Sequence, residues 1–116
     1  MQTTFIGSRG ERVAAEYIEK LGYQVLDRNW RRRECEIDMV ACKNNTAYFV
    51  EVKYRHSNIA GSGLEYITPA KLRQMAYAAR RWVAENRWTG EYVLAAVEVS
   101  GETFEVTAFI DCIDGC

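Results

Sequence analysis

Several things are scarce in this chain, and each scarcity closes off a class of protein. Its 116 residues include one histidine, His56, and four cysteines, Cys35, Cys42, Cys112 and Cys116, with no pair at CxxC spacing. A zinc site built from close-spaced ligands is therefore not expected. Proline occurs once, at Pro69, and no linker or internal repeat interrupts the sequence. No apolar run approaches the roughly 18 residues that a membrane span needs. The N-terminus lacks the basic and apolar regions of a signal peptide. A cytoplasmic protein without a membrane segment is expected. Net charge is also scarce: 15 Lys and Arg against 16 Asp and Glu leave −1. Nucleic-acid-binding domains are more often basic, so any phosphate partner depends on local clusters such as Arg28, Arg31, Arg32 and Arg33. What is present is ordinary globular composition, 48% hydrophobic and 27% charged, in a length that suits one domain over 1–116 with a real core.

The most informative stretch is 34–55. Two β-rich runs flank Asn44-Asn45, and Asn tolerates the positive φ that a type I′ turn needs at both central positions. With those residues as the loop, Asp38 falls opposite Glu51 and Glu36 opposite Lys53, and alternation puts all four on one sheet face. Opposed Cβ atoms lie about 4.5–5.5 Å apart, where like charges destabilise a sheet. The neighbours Ile37, Met39, Val40, Ala41, Phe49, Val50 and Val52 are apolar on both faces, as in a central strand pair covered on both sides. Carboxylates there need compensation. A hard divalent cation provides it, held by one or two carboxylates, water and substrate phosphate. Lys53 points at the same spot, where its ammonium can position water or stabilise developing charge. The spacing also suits a plain cross-strand ion pair, Glu36 with Lys53. A one-residue change of loop length would part Asp38 from Glu51.

Before the hairpin, Ser8-Arg9-Gly10-Glu11 has capping-box spacing and predicts a helix from Ser8. Val13, Ala14, Tyr17, Ile18 and Leu21 form its buried stripe, and Gly22 ends it. Glu11 runs with Ala15 and Ile18 along one edge of that stripe; it either closes the capping box or reaches the sheet surface. Tyr23 to Asn29 reads as a strand, and Trp30-Arg31-Arg32-Arg33 as a basic turn carrying an aromatic. Residues 56–65 are rich in Gly, Ser and Asn and read as a flap beside the site. Thr68-Pro69 opens a second helix with Thr as N-cap. Leu72, Met75, Ala76, Ala79, Trp82 and Val83 form its buried stripe. Arg73, Tyr77, Arg80 and Arg87 make a basic face that is either merely solvated or phosphate-binding. Strands follow at Tyr92 to Val99, apolar and buried, and at Thr103 to Ile110, alternating and so an edge; 110–116 reads as a loose tail. This order predicts an α/β domain, a mixed β-sheet of about five strands flanked by two main helices. The third and fourth strands should be joined by a right-handed crossover through the second helix.

Six short stretches stand in one order from about Gly7 to Val97: Gly10-Glu11 with an Ala-rich helix behind it, Leu21-Gly22-Tyr23, Arg28-Asn29-Trp30, Glu36-Ile37-Asp38, Phe49-Val50-Glu51-Val52-Lys53 and Thr68-Pro69-Ala70-Lys71. In that order they resemble the YraN-like family of small bacterial proteins. That family is similar to archaeal Holliday-junction resolvases and shares the restriction-endonuclease-like fold of the PD-(D/E)xK nucleases. The resemblance implies that Asp38 and Glu51 bind Mg²⁺ or Mn²⁺, as one or two ions, with the backbone carbonyl of Val52 as an extra ligand. It implies that Lys53 orients the attacking water, that Glu11 is the helix-one glutamate of the resolvases, and that Arg12 touches substrate. There are two departures. Cys35 stands where the family usually has Gly, which costs backbone freedom, and Val93 stands where many relatives have Asp.

Three functional classes follow. The first is a metal-dependent nuclease hydrolysing DNA phosphodiesters, with Arg31, Arg32, Arg33, Arg55, Lys71 and Arg73 touching flanking phosphates without reading sequence. Branched or structured DNA is its expected substrate, by analogy with the resolvases, and a two-fold junction goes with a homodimer. The second is a non-catalytic nucleic-acid-binding module of a repair or processing complex. The third, a structural or assembly protein with no nucleic-acid role, is permitted by the slight net acidity.

Overall fold

The structure, a computed structural model, describes residues 2–56 and 67–113, with side chains from position 8 onward. The expected flap at 56–65 lies outside the described residues from 57 on. Helix α1 (Gln2–Lys20) is followed by β1 (Gln24–Arg31), β2 (Glu36–Lys43), β3 (Thr46–Arg55), α2 (Pro69–Asn86), β4 (Glu91–Ser100) and β5 (Glu105–Ile110). The five strands form one sheet in the order β1-β2-β3-β4-β5. Only β3 and β4 run parallel; the other neighbours are antiparallel. This is the mixed five-stranded α/β sheet with two helices that the sequence implies.

The helix boundaries follow capping chemistry at three of four ends. At the end of α1, Tyr23 N–H donates to Ile18 O (3.1 Å) and Gly22 N–H to Glu19 O (3.0 Å). Gly22 takes φ +97°, the left-handed C′ position that glycine occupies without a Cβ clash. The motif seats Tyr23 and Ile18 together in the core. Helix α2 opens as read: the Thr68 side chain accepts from Lys71 N–H and Pro69 follows it. It closes on Arg87, a non-glycine residue at φ 54°. The start of α1 corrects the sequence reading. The helix begins at Gln2, not Ser8, so Ser8 and Glu11 form no capping box.

That earlier start goes with a different buried face. Ala14, Ala15 and Ile18 are buried, while Tyr17 and Leu21 are 37% and 43% exposed. The line Glu11, Ala15, Ile18 is the centre of the sheet-facing stripe rather than its edge, because those positions recur at helical spacing. Gly10 faces Tyr54 of β3 at ordinary contact distance, a Cβ there lying 3.9 Å from the Tyr54 Cβ.

The two helices cover opposite faces. Met39, Ala41 and Val50 pack with α1, while Val40, Ala47 and Phe49 pack with Met75, Ala78, Ala79 and Trp82 of α2. Successive residues of β2 thus feed different cores, as strand alternation requires. Trp30 and Arg31, read as part of a turn, belong to β1, and the turn is confined to 32–35. The tail is not loose from 110. Ile110 ends β5 and pairs with Ala96, and Ile113 N–H donates to Leu94 O at 2.9 Å.

The β2–β3 turn carries Asn44 at φ 53° and Asn45 at φ 62°, the type I′ geometry. Met39 pairs with Val50, Val40 with Phe49 and Lys43 with Thr46, the expected register. Gly90 leads into β4 beside this turn. A Cβ on it would stand 2.4 Å from the Asn45 carbonyl oxygen, so only glycine fits the close approach.

Candidate metal and nucleic-acid site

The β2–β3 ladder stops at Met39 and Val50. Beyond that pair β2 stays with β1, through Ile37 with Trp30 and Glu36 with Arg31. Past Val50, β3 stays with β4, through Glu51 with Ala96 to Arg55 with Ser100. The sheet forks there, and Asp38 and Glu51 stand at the mouth of the fork.

Two backbone features explain the fork. Asn29, in the middle of β1, has φ 53°. Opposite it the alternation of β2 slips, since Ile37 and Val40 both pack on the α2 side although three positions apart. Asp38 sits at this slip. Its Oδ2 accepts from the Val52 N–H at 2.8 Å. A side chain thus satisfies the β3 amide at the point where the ladder ends, as a buried amide requires.

Burial is the main force that pushes the Asp38 carboxyl up to about 7, and the charge of Glu51 adds to it. The Val52 N–H opposes the rise, while Glu11 and Glu36 reinforce it. Glu11 is half-buried on α1. Its carboxyl is raised mainly by burial, against the lowering effects of an Asn29 hydrogen bond and of Arg28 and Arg31. Glu11, Glu36, Asp38 and Glu51 therefore share one electrostatic neighbourhood. Asn29, which shapes β1 and holds Glu11, carried no role in the sequence reading. Its signal was an Asn, tolerant of positive φ, inside a strand.

Glu51 is half-buried and pairs with Lys71 of α2, Nζ to Oε2, at 3.0 Å. Glu51, Asp38 and Met75 line one small cavity. Lys53 is exposed two residues further along β3, on the Glu51 side by strand alternation. In β4 it lies beside Glu98, a 7% exposed carboxylate inside a strand that reads as apolar. Glu98 accepts from the Thr107 hydroxyl (2.7 Å) and from Arg55 Nε (3.3 Å). The sequence reading passed over Glu98, and the one charge inside the run Val93–Val99 was the available clue.

An open cleft of about 700 Å³ runs from Glu51 between the 32–36 segment and the start of α2. Arg33, Lys71, Arg73 and Tyr77 line it. Side chains tie the β1–β2 turn to α2: Arg32 Nε donates to Glu85 at 3.0 Å, and Arg81 pairs with Glu34 at 2.6 Å. Arg32 also lies over the Trp30 ring, 4.3 Å from its centroid.

The basic cluster is less available than the sequence implies. Arg31 pairs with Glu36 (2.6 Å), Arg32 with Glu85, Arg55 with Glu98 and Lys71 with Glu51. In a chain of near-zero net charge, cations folded near carboxylates find them first. Arg33 and Arg73 are exposed and line the cleft, and Arg12 is exposed on α1. The expected register of Glu36 opposite Lys53, with both on the face of Asp38 and Glu51, does not hold: the alternation of β2 slips at Asp38, Glu36 pairs with Arg31 of β1 and Lys53 stands beside Glu98 of β4.

Among the described residues no group of three or more His, Cys, Asp or Glu forms a ready cage for a metal. Asp38 and Glu51 still suit a hard ion, which takes one or two carboxylates and leaves its other positions to water and phosphate. Burial first, and the neighbouring carboxylates after it, make a charged Asp38 costly in the site as it stands. No described helix is long and apolar enough to cross a membrane.

Comparison with known proteins agrees with the sequence motifs. Residues 10–109 match the family described as "Uncharacterised protein family UPF0102". A UPF0102 protein of Chlorobium chlorochromatii is 47% identical over 81 residues, covering 70% of this chain and 63% of its own. One from Cytophaga hutchinsonii is 34% identical over 100 residues, covering 86% of this chain and 88% of its own. One from Flavobacterium psychrophilum is 33% identical over 108 residues, covering 91% of each. The chain thus spans less than two thirds of the Chlorobium relative and nearly all of the other two. With a family match across most of its length, the chain belongs to the UPF0102, or YraN, family.

Proposed function

We propose that this protein is a metal-dependent nuclease that hydrolyses phosphodiester bonds of branched or structured DNA. The observation that carries the reading is the forked sheet: Asp38 and Glu51 meet where β2 and β3 part, with Lys53 next along β3. The resemblance to PD-(D/E)xK nucleases supports it, and so does the open cleft leading from Glu51 past Arg33, Arg73 and Tyr77.

Asp38 and Glu51 would hold Mg²⁺ or Mn²⁺, with Val52 beside them. When bound, such an ion supplies Lewis-acid polarisation of the phosphate and makes water more acidic. The chain's own groups do the rest. The Val52 N–H fixes the Asp38 carboxylate. Lys53 holds a water in line with the scissile phosphate and stabilises developing charge. The water oxygen would form the new bond to phosphorus and give up a proton to solvent as the P–O ester bond breaks, and the leaving oxygen would take a proton from solvent. Arg33 and Arg73 hold flanking phosphates without reading bases. On a two-fold junction, two copies would act together.

The test is Asp38→Asn. Cleavage of junction, flap and single-stranded DNA in Mg²⁺ or Mn²⁺ should fall by about a hundredfold to a thousandfold, on the scale of removing one essential electrostatic group. DNA binding should persist or tighten. Equal cleavage by both proteins would sink the site. Salt-sensitive binding with no cleavage of any substrate by the wild type would establish the non-catalytic binding module instead.

A further inference from the structure

One ion pair sits where helix electrostatics argue against it. Lys71 is the third residue of α2, and its N–H is capped by Thr68 Oγ1 at 3.1 Å. The first turn of that helix holds no acidic residue. A helix N-terminus carries partial positive charge, so an acid is favoured there and a lysine disfavoured. After a Thr N-cap this position is also the place for the Glu or Gln of a capping box. Lys71 instead reaches across to Glu51, 3.0 Å away, at the edge of the Glu11, Glu36, Asp38 and Glu51 neighbourhood. Its side chain is 33% exposed and also lines the 700 Å³ cleft. A lysine is a point charge on a flexible stem, able to exchange one anion for another.

We propose that Lys71 is a built-in counter-cation, one that neutralises Glu51 in the metal-free protein. It gives way to the divalent ion and then binds a phosphate of the nucleic acid in the cleft. The inference rests on the metal-site reading above and adds its regulation. The same ammonium cannot serve Glu51 and a phosphate equally, so metal and nucleic acid bind cooperatively. Without metal the lysine is held by Glu51; with metal the cleft gains one cation. Coupling of this kind is reciprocal: DNA tightens metal binding by the factor by which metal tightens DNA binding.

The experiment uses the full chain and two probes, Mn²⁺ by calorimetry and a labelled four-way DNA junction by anisotropy, the latter with Ca²⁺ as a metal chosen to avoid cleavage. The wild type should bind the junction at least about fivefold more tightly with Ca²⁺ than without, the lower end of typical coupling. Lys71→Met should bind Mn²⁺ more tightly than the wild type and lose most of the Ca²⁺-dependent gain. In Ca²⁺ its salt dependence should also fall by about one phosphate contact. Lys71→Arg, which keeps the charge, should restore the coupling. Glu51→Gln separates the two levels. If Mn²⁺ binds the wild type but not Glu51→Gln, while Lys71→Met matches the wild type in both metal affinity and coupling, the counter-cation proposal alone is wrong. If Lys71→Met weakens the junction equally with and without Ca²⁺, Lys71 is a plain phosphate contact and the exchange is wrong. If the wild type binds no Mn²⁺, or Glu51→Gln binds it unchanged, the metal-site reading falls and takes this inference with it.

Discussion

Between Met39 and Lys43, strand β2 is bonded to β3 throughout and is apolar on both faces down to Ala41. Past Met39 the same strand pairs with β1 through Ile37 and Glu36, and Asp38 reaches β3 by its side chain alone; this segment carries two carboxylates. One hairpin, in register only as far as Met39 and Val50, thus has a closed half and an open half. In the closed half, Phe49 lies edge-on to Trp82 with ring centroids 5.6 Å apart, and Met39, Val40 and Val50 are almost wholly buried. In the open half, a carboxylate pushed up to about 7 replaces the ladder by accepting the Val52 N–H. Burial of apolar area holds the first half together. In the second, Glu36 and Glu51 are each met by one cation, Arg31 and Lys71, while the Asp38 carboxyl is held by a backbone amide. A rigid closed half also sets the distance between the two arms of the fork, as a site on regular elements requires.

The contrast can be broken first in its closed half. Phe49→Ala should cost about 3–5 kcal/mol of folding stability, the range for deleting a buried aromatic. Denaturant unfolding should show it as a lower midpoint. A loss below about 1 kcal/mol would mean that the closed half is not the anchor.

The open half should behave in the opposite sense. Asp38 keeps its proton in the fold up to about pH 7, whereas in the unfolded chain it loses it near pH 4. Its contribution to stability is therefore whole below about pH 4 and is lost as pH rises through about 7. In metal-free buffer Asp38→Asn removes that pH-dependent loss. At pH 8 the variant should be more stable than the wild type by on the order of 2–4 kcal/mol, and the gap should close toward pH 4. Thermal unfolding measured at several pH values checks this. Parallel curves for the two proteins would show that Asp38 is not held neutral by burial.

The smallest effect belongs to the turn that sets the register. Asn44 has φ 53°. Asn44→Ala should cost about 1 kcal/mol, since Ala pays the left-handed penalty that Asn partly avoids. Junction cleavage per folded molecule, the activity proposed above, should not change. A variant that folds well but loses metal binding would show that the register had slipped.

Much of this was legible along the chain. The Asn44-Asn45 turn, the Gly22 stop, the Thr68-Pro69 cap and the apolar run of β4 are local signals, each with a local cause, and the register follows from the turn. The start of α1 was not, since a capping-box spacing at Ser8 sits inside a helix that continues back to Gln2. The partners of the basic residues were not legible either. Arg32 meets Glu85 from 53 positions away and Arg55 meets Glu98 from 43. Nothing in the spacing of Arg31, Arg32 and Arg33 tells a free cation from a paired one.

Sequence alone determined the order of the two acids and the lysine and the turn that sets the register as far as Met39 and Val50, because strand period and turn chemistry are properties of neighbours; the expected facing of Asp38 by Glu51 and of Glu36 by Lys53 in one ladder did not hold. Tertiary structure decided that β2 and β3 part at Asp38, that Asn29 bends β1 there, that Glu11 arrives from α1, and that Lys71 lies on Glu51. Those outcomes depend on charges and amides far apart in the chain that are forced to share one poorly solvated volume, and only the packed fold brings them together.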